Sequence, residues 1–179
     1  MKTCSPLVND LLSDEEDLLL RLIPTEPGHA SALQAIRAAS EEELTGGAVL
    51  PDASYPLLIR AGLLYAYDAT GECHRIVQEV RTPHGAYWHG MVHRREGDFD
   101  NARHWFRRTG RLAMFSEMHR RAVEVSPLMG RQMDWDAYVL VGQCEQARFG
   151  GDVDRKELVA LQRIEFAVMF GALWQDAFA

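Results

Sequence analysis

Apolar residues in this chain recur three and four positions apart, and no run alternates apolar with polar between turn signals. That spacing lays one stripe along an α-helix and suits no half-buried strand, so the chain is expected to be all-α. Proline and glycine then cut the pattern into short pieces. "SPLVNDLLSDEEDLLLRLI" reads as a first helix over residues 5–23, stopped by Pro24 and "PTEPG". "HASALQAIRAA" reads as a second, and "SEEEL" as a capping box in which Ser40 caps and Glu43 lies three residues on. After the loop "TGGAVLPDAS", Pro51 suits a helix start. "YPLLIRAGLLYAYD" is apolar almost all round and should be buried. Breaks at Thr70–Gly71 and at "TPHG" bound "ECHRIVQEV". "FSEMHRRAVEV", "DWDAYVLVGQCEQARF" and a long last helix, "DRKELVALQRIEFAVMFGALWQDAF", complete the chain. Eight to ten helices with short connections imply one all-helical domain over 1–179, an irregular bundle of antiparallel pairs.

The densest chemistry lies in "YWHGMVHRREGDFDNARHWFRR", residues 87–108. "PHGAYWHGMVHRRE" is helical in composition apart from its glycines, and "GD" then breaks it, with Asp98 placed to cap "DNARHWFRRTG" up to Gly110. The pair resembles a tetratricopeptide hairpin. Gly90 falls at the small position where the helices meet, Gly97 in the turn, and Phe99, Ala102 and Phe106 at packing positions. It departs from that pattern at Ala86, where a tryptophan is usual, and at His89 and His93, where apolar residues are usual.

His89 and His93 are four apart and share a helix face, with Glu96 three beyond His93. Two imidazoles at this spacing can bind one metal ion, though Gly90 stands where a zincin helix has its glutamate. A hydrogen-bonded polar cluster and plain surface histidines are the alternatives. Tyr87, Trp88, Trp105 and Phe106 read first as packing residues. Beside them, Arg94, Arg107 and Arg108 offer cations for an anion or for ion pairs with Glu96, Asp98 and Asp100. His74 and Gln78, one turn apart on the preceding helix, are expected to converge on the stretch. Glu165, inside an apolar run, needs a buried partner, and an arginine or histidine of the stretch is the natural one.

Charge narrows the partners. The chain carries −7 overall, but residues 84–121 hold eight bases against four acids. An acidic total speaks against nucleic acid, and the local basic excess suits a small anion, a peptide end or internal ion pairs. The longest clean apolar run, "FAVMFGALW", is too short to span a bilayer. Cys4, Cys73 and Cys144 are odd in number, far apart and without CxxC, which points to buried thiols in a reducing cytoplasm. The acidic start of the chain resembles no signal peptide. Monomer and homodimer stay open.

The stretch, preceded by "CHRIVQEV", is similar to the motif YWHxxxHRREGDxxNAxYWFRR of a family of uncharacterised bacterial and fungal proteins, in which a SHxIxQ-like segment precedes. The similarity spans about residues 72–110 and about half the chain with weaker matches. On it, His74, Gln78, Trp88, His89, His93, Arg94, Arg95, Glu96, Asp98, Asn101 and Trp105 correspond to the motif. Cys73 replaces the serine and His104 a tyrosine. The resemblance implies a helical fold and no particular activity.

The function expected from these features is binding of a small, anionic molecule or a peptide end. The cleft would be built by His74, Gln78, Trp88, His89, His93, Arg94, Glu96, Asn101 and Trp105. An enzyme at the same cleft is the alternative, either a metal-assisted hydrolase with His89 and His93 as ligands of a divalent ion or a histidine general base. A tetratricopeptide-like interaction scaffold is the third.

Overall fold

The computed structural model describes residues 5–13, 18–48 and 50–177. Among them are ten α-helices, one 3-10 turn (Met129–Arg131) and no strand. The helices are α1 (Pro6–Leu11), α2 (Ala30–Ala38), α3 (Glu41–Thr45), α4 (Ser54–Ala66) and α5 (Thr70–Val77). They continue with α6 (Pro83–Glu96), α7 (Phe99–Thr109), α8 (Phe115–Ala122), α9 (Ala137–Arg148) and α10 (Arg155–Ala177). No helix among the described residues is long and apolar enough to cross a membrane.

Local chemistry explains most boundaries. The Ser40–Glu43 capping box opens α3. Thr82 accepts from the Gly85 amide and Pro83 takes the first position of α6, so "TPHG" is a helix start rather than a break in helicity. Thr70 and Gly71, read as a break, are the first residues of α5. The helix expected to begin at Pro51 begins at Ser54, whose amide is taken by the Asp52 carboxylate.

The expected helix over 5–23 is shorter. It ends at Leu11, residues 14–17 lie outside the described set, and residues 18–23 are non-helical with Leu19 at φ +59°. The reason lies far away in sequence. Gln162 donates to the carbonyls of Leu19 (3.0 Å) and Arg21 (3.1 Å), Arg163 to that of Leu18 (3.0 Å), and Arg95 to that of Arg21 (3.2 Å). Side chains thus take the acceptors a helix would have satisfied internally, while Leu18, Leu19 and Leu22 still reach the core.

α6 sets the frame of the molecule. It packs on α4, α5 and α7, and every residue from Gly85 to Arg95 is buried. Its closest partner is α7. The φ of +78° at Gly97 turns the chain, and Gly90 lets the Phe106 ring press on the α6 backbone, where an added Cβ would lie 2.8 Å from two ring carbons. α10 lies against α4, α8 and α9. Trp88 is in this core, edge-on to Tyr65 (5.5 Å between centroids) and Phe166 (6.0 Å). Cys73 and Cys144 are buried free thiols, and Cys4 lies outside the described residues. Burial pushes Cys73 far above the usual thiol range and Cys144 up to about 11, so neither is a thiolate near neutrality.

A candidate metal centre between α5, α6 and α7

A helix buried along eleven residues must house its polar side chains inside the protein, and α6 does so on two sides. Toward the core, Arg94 meets Glu165 of α10, the first 1% and the second 0% exposed. Arg94 Nη1 donates to Glu165 Oε1 (3.0 Å) and Nη2 to Oε2. The Tyr87 hydroxyl donates to the same Oε1 (2.8 Å) and accepts from Trp135 Nε1 (2.7 Å). Burial pulls the Arg94 guanidinium down, but Glu165 above all, with Tyr65 and Cys144, outweighs it and holds Arg94 well above its ordinary value. Arg95, also fully buried, donates to the Tyr65 carbonyl (2.6 Å) and pairs with Asp68, which in turn holds Arg21 (Nε to Oδ2, 2.8 Å). The partner expected for Glu165 is therefore Arg94. Nothing in the pattern pointed to the Arg95–Asp68 pair beyond the second arginine of "HRRE".

On the other side of α6, His89 and His93 meet His74 of α5. One ligating atom from each of the three lies within 4.8 Å of the others. His74 Nε2 and His89 Nε2 are 2.9 Å apart. The His74 ring stands edge-on to both neighbours, 4.7 Å from His89 and 4.6 Å from His93, and those two are stacked at 4.8 Å. Trp105 of α7 closes the cluster, its ring 3.9 Å from that of His89. His89 and His93 are buried at 4% and 8% exposure.

Carboxylates stand behind the rings. Glu96 holds His74 Nδ1 with Oε2 at 2.9 Å and Oε1 at 3.1 Å, which turns Nε2 of His74 into the cluster. His93 Nδ1 lies 3.5 Å from Asp98 Oδ2 and 3.9 Å from Glu96 Oε2, near enough for attraction but not for a directed hydrogen bond. His89 Nδ1 is buried with no hydrogen-bond partner among the described residues. Burial first, and the neighbouring imidazoles second, depress His89 to about 3 and also lower His93. Both are neutral at physiological pH, the form in which imidazole binds a metal.

The structure sorts the expected site residues. It brings together His74, His89, His93, Glu96 and Trp105. Trp88 and Arg94 sit on the core side, the first among aromatics and the second bound to Glu165. Asn101 is exposed and donates to Asp98 (2.7 Å), which also caps α7. Gln78 is exposed at the end of α5, one turn beyond His74. A surface depression of about 390 Å³ lies elsewhere, lined by residues such as Arg111, Phe115, Met133 and Trp135.

Comparison of the chain with family models, with curated proteins and with solved structures finds no match.

Proposed function

We propose that this protein binds one divalent transition-metal ion through His74, His89 and His93. The observation that carries the reading is the convergence of three imidazoles, two of them buried and held neutral, within 4.8 Å. Metal–imidazole bonds of about 2.0–2.1 Å put the nitrogens of a tetrahedral site a little over 3 Å apart, so His74 Nε2 and His89 Nε2, now 2.9 Å apart, would open slightly while the wider separations, up to 4.8 Å, close by side-chain rotation. Three nitrogen donors suit zinc, iron, cobalt, nickel or copper and are ill suited to magnesium or calcium. Glu96 behind His74, with Asp98 near His93, supplies the carboxylates that orient metal-binding histidines. Three protein ligands leave the ion positions for water or substrate, which is the arrangement of a catalytic rather than a structural site, and metal-assisted hydrolysis is the chemistry it serves.

The test uses protein purified without a histidine tag. Elemental analysis should find near one transition metal per chain. Zinc at about a hundred times its Kd should stabilise the fold by about 2.7 kcal/mol. The His89→Ala, His93→Ala double variant should lose both the metal and the shift. Absence of metal, with no thermal response to any divalent ion, overturns the reading.

One observation favours a second chemistry. The Glu96–His74 hydrogen bond also orients a histidine for metal-free general-base work. Hydrolytic activity that survives chelation and dialysis, and is lost in His74→Gln, would select it.

A further inference from the structure

We infer that the metal position forms one end of a groove for a small oxyanion, a carboxylate or a phosphate, and that Arg108 provides the cationic wall. The inference rests on the metal reading. It starts from the three elements around the cluster. Ala86, His89 and His93 recur along one side of α6 at helical spacing, and Ala86 is the small residue one turn before His89. α5 supplies His74 and, one turn on, the exposed amide of Gln78. α7 supplies Trp105 and, three residues on, Arg108. The surface beyond His89 is thus bordered by a methyl group, an amide and a guanidinium.

Arg108 is set apart from the other arginines near the cluster by its place against Trp105; Arg107 also lacks a carboxylate partner among the described residues but has no such ring contact there. Arg94 and Arg95 are spent on Glu165 and Asp68 inside the protein. Arg103 is taken by Glu145 and Asp100, and Arg111 by Asp134. Arg108 has no carboxylate partner among the described residues. Its guanidinium lies 5.4 Å from the centre of the Trp105 ring, the ring that stacks on His89. A cation held by an aromatic face keeps its hydrogen-bond donors for a ligand. The chain is otherwise acidic, and Glu96 and Asp98 crowd the His93 end. An anion is therefore repelled from one end of the cluster and drawn to the other. A divalent ion on three neutral imidazoles keeps its full positive charge, so an oxygen anion is the ligand that completes it, and the fork of Arg108 matches a second oxygen of the same group.

The experiment loads the full chain with cobalt(II), whose visible bands report the ligands of the ion, and titrates sodium acetate and sodium phosphate separately. Either or both should shift the bands saturably, and the stronger response tells carboxylate from phosphate. Arg108→Gln should take up cobalt as the parent does but bind the anion about tenfold more weakly, the loss of one charge-assisted contact. Arg111→Gln, whose parent residue faces Asp134, should titrate like the parent. Bands that neither anion moves, or an Arg108→Gln protein that titrates like the parent, overturn the oxyanion groove while leaving the metal site standing. A chain that takes up no cobalt removes both.

Discussion

The two sides of α6 solve the same problem in opposite ways. On the core side the charges are paired: Glu165 accepts from Arg94 and Tyr87, Tyr87 accepts in turn from Trp135, and what is left over is N–H groups, the Nε of Arg94 and Arg95 and Nε1 of Trp88. On the α5 side three imidazoles are pressed together, two of them depressed in basicity and each of those two with a buried Nδ1 that finds no hydrogen-bond partner among the described residues. A charge-balanced pair pins helices in place and its leftover N–H groups cannot hold a cation, whereas neutral imidazole nitrogens at a point of convergence are what a metal uses. The difference teaches that burial alone does not mark a site. What marks it is burial combined with lone pairs that converge on one point.

Substitution breaks that comparison most strongly on the core side. Glu165→Ala leaves the Arg94 charge buried without its counterion and should cost about 3–5 kcal/mol in denaturant unfolding, with or without metal. Changing both members, Arg94→Met with Glu165→Leu, should recover much of that loss, because the desolvation penalty goes with the pair. Equal damage from single and double changes would show that the pair is worth more than its charge balance.

Acid acts on the other side. Unfolded imidazoles take protons near pH 6.5, and folded His89 only near 3. Between those values the unfolded chain binds more protons than the folded one, so stability falls as pH drops below 6.5 and is insensitive to these rings above it. His93 acts in the same direction. Urea midpoints at pH 8, 6 and 5 should therefore fall more steeply for the parent than for the His89→Ala, His93→Ala variant. Parallel slopes would mean that the rings charge freely in the fold.

The smallest effect on stability sharpens the contrast most. Glu96→Gln removes an exposed carboxylate and should move unfolding by no more than about 0.5 kcal/mol. Zinc affinity, read by competition with a chelating dye, should fall about 10–100-fold, since the carboxylate orients His74 and raises its basicity. Unchanged affinity would place Glu96 outside the metal's influence.

Legibility in the sequence followed the range of the forces involved. The end of α6 and both ends of α7 were readable to within a residue or two because their signals, Gly97, Asp98 and Gly110, are local, whereas the Thr82 cap within "TPHG" read only as a break. Glu165 announced itself as a carboxylate inside an apolar run, and its need for a partner follows from elementary electrostatics. His89 and His93 were readable as a pair from spacing. That Trp88 and Arg94 turn away from them was not, because neighbouring residues on a fully buried helix differ only in which tertiary partner they meet. The same limit hid Arg95–Asp68 and undid the helix expected over 5–23, where the deciding donors, Gln162 and Arg163, lie in α10.

That last arrangement also sets an order of events. The carbonyls of Leu18 and Leu19 wait for donors 145 and 143 positions further along the chain. Until α10 has been synthesised and has docked, only the contacts of Arg21 with Arg95 and Asp68 hold the segment, and the carbonyls of Leu18 and Leu19 lack their side-chain donors. Its leucines stay short of their final packing while the intervening helices are made, so this segment comes to rest only after α10, far behind it in the chain.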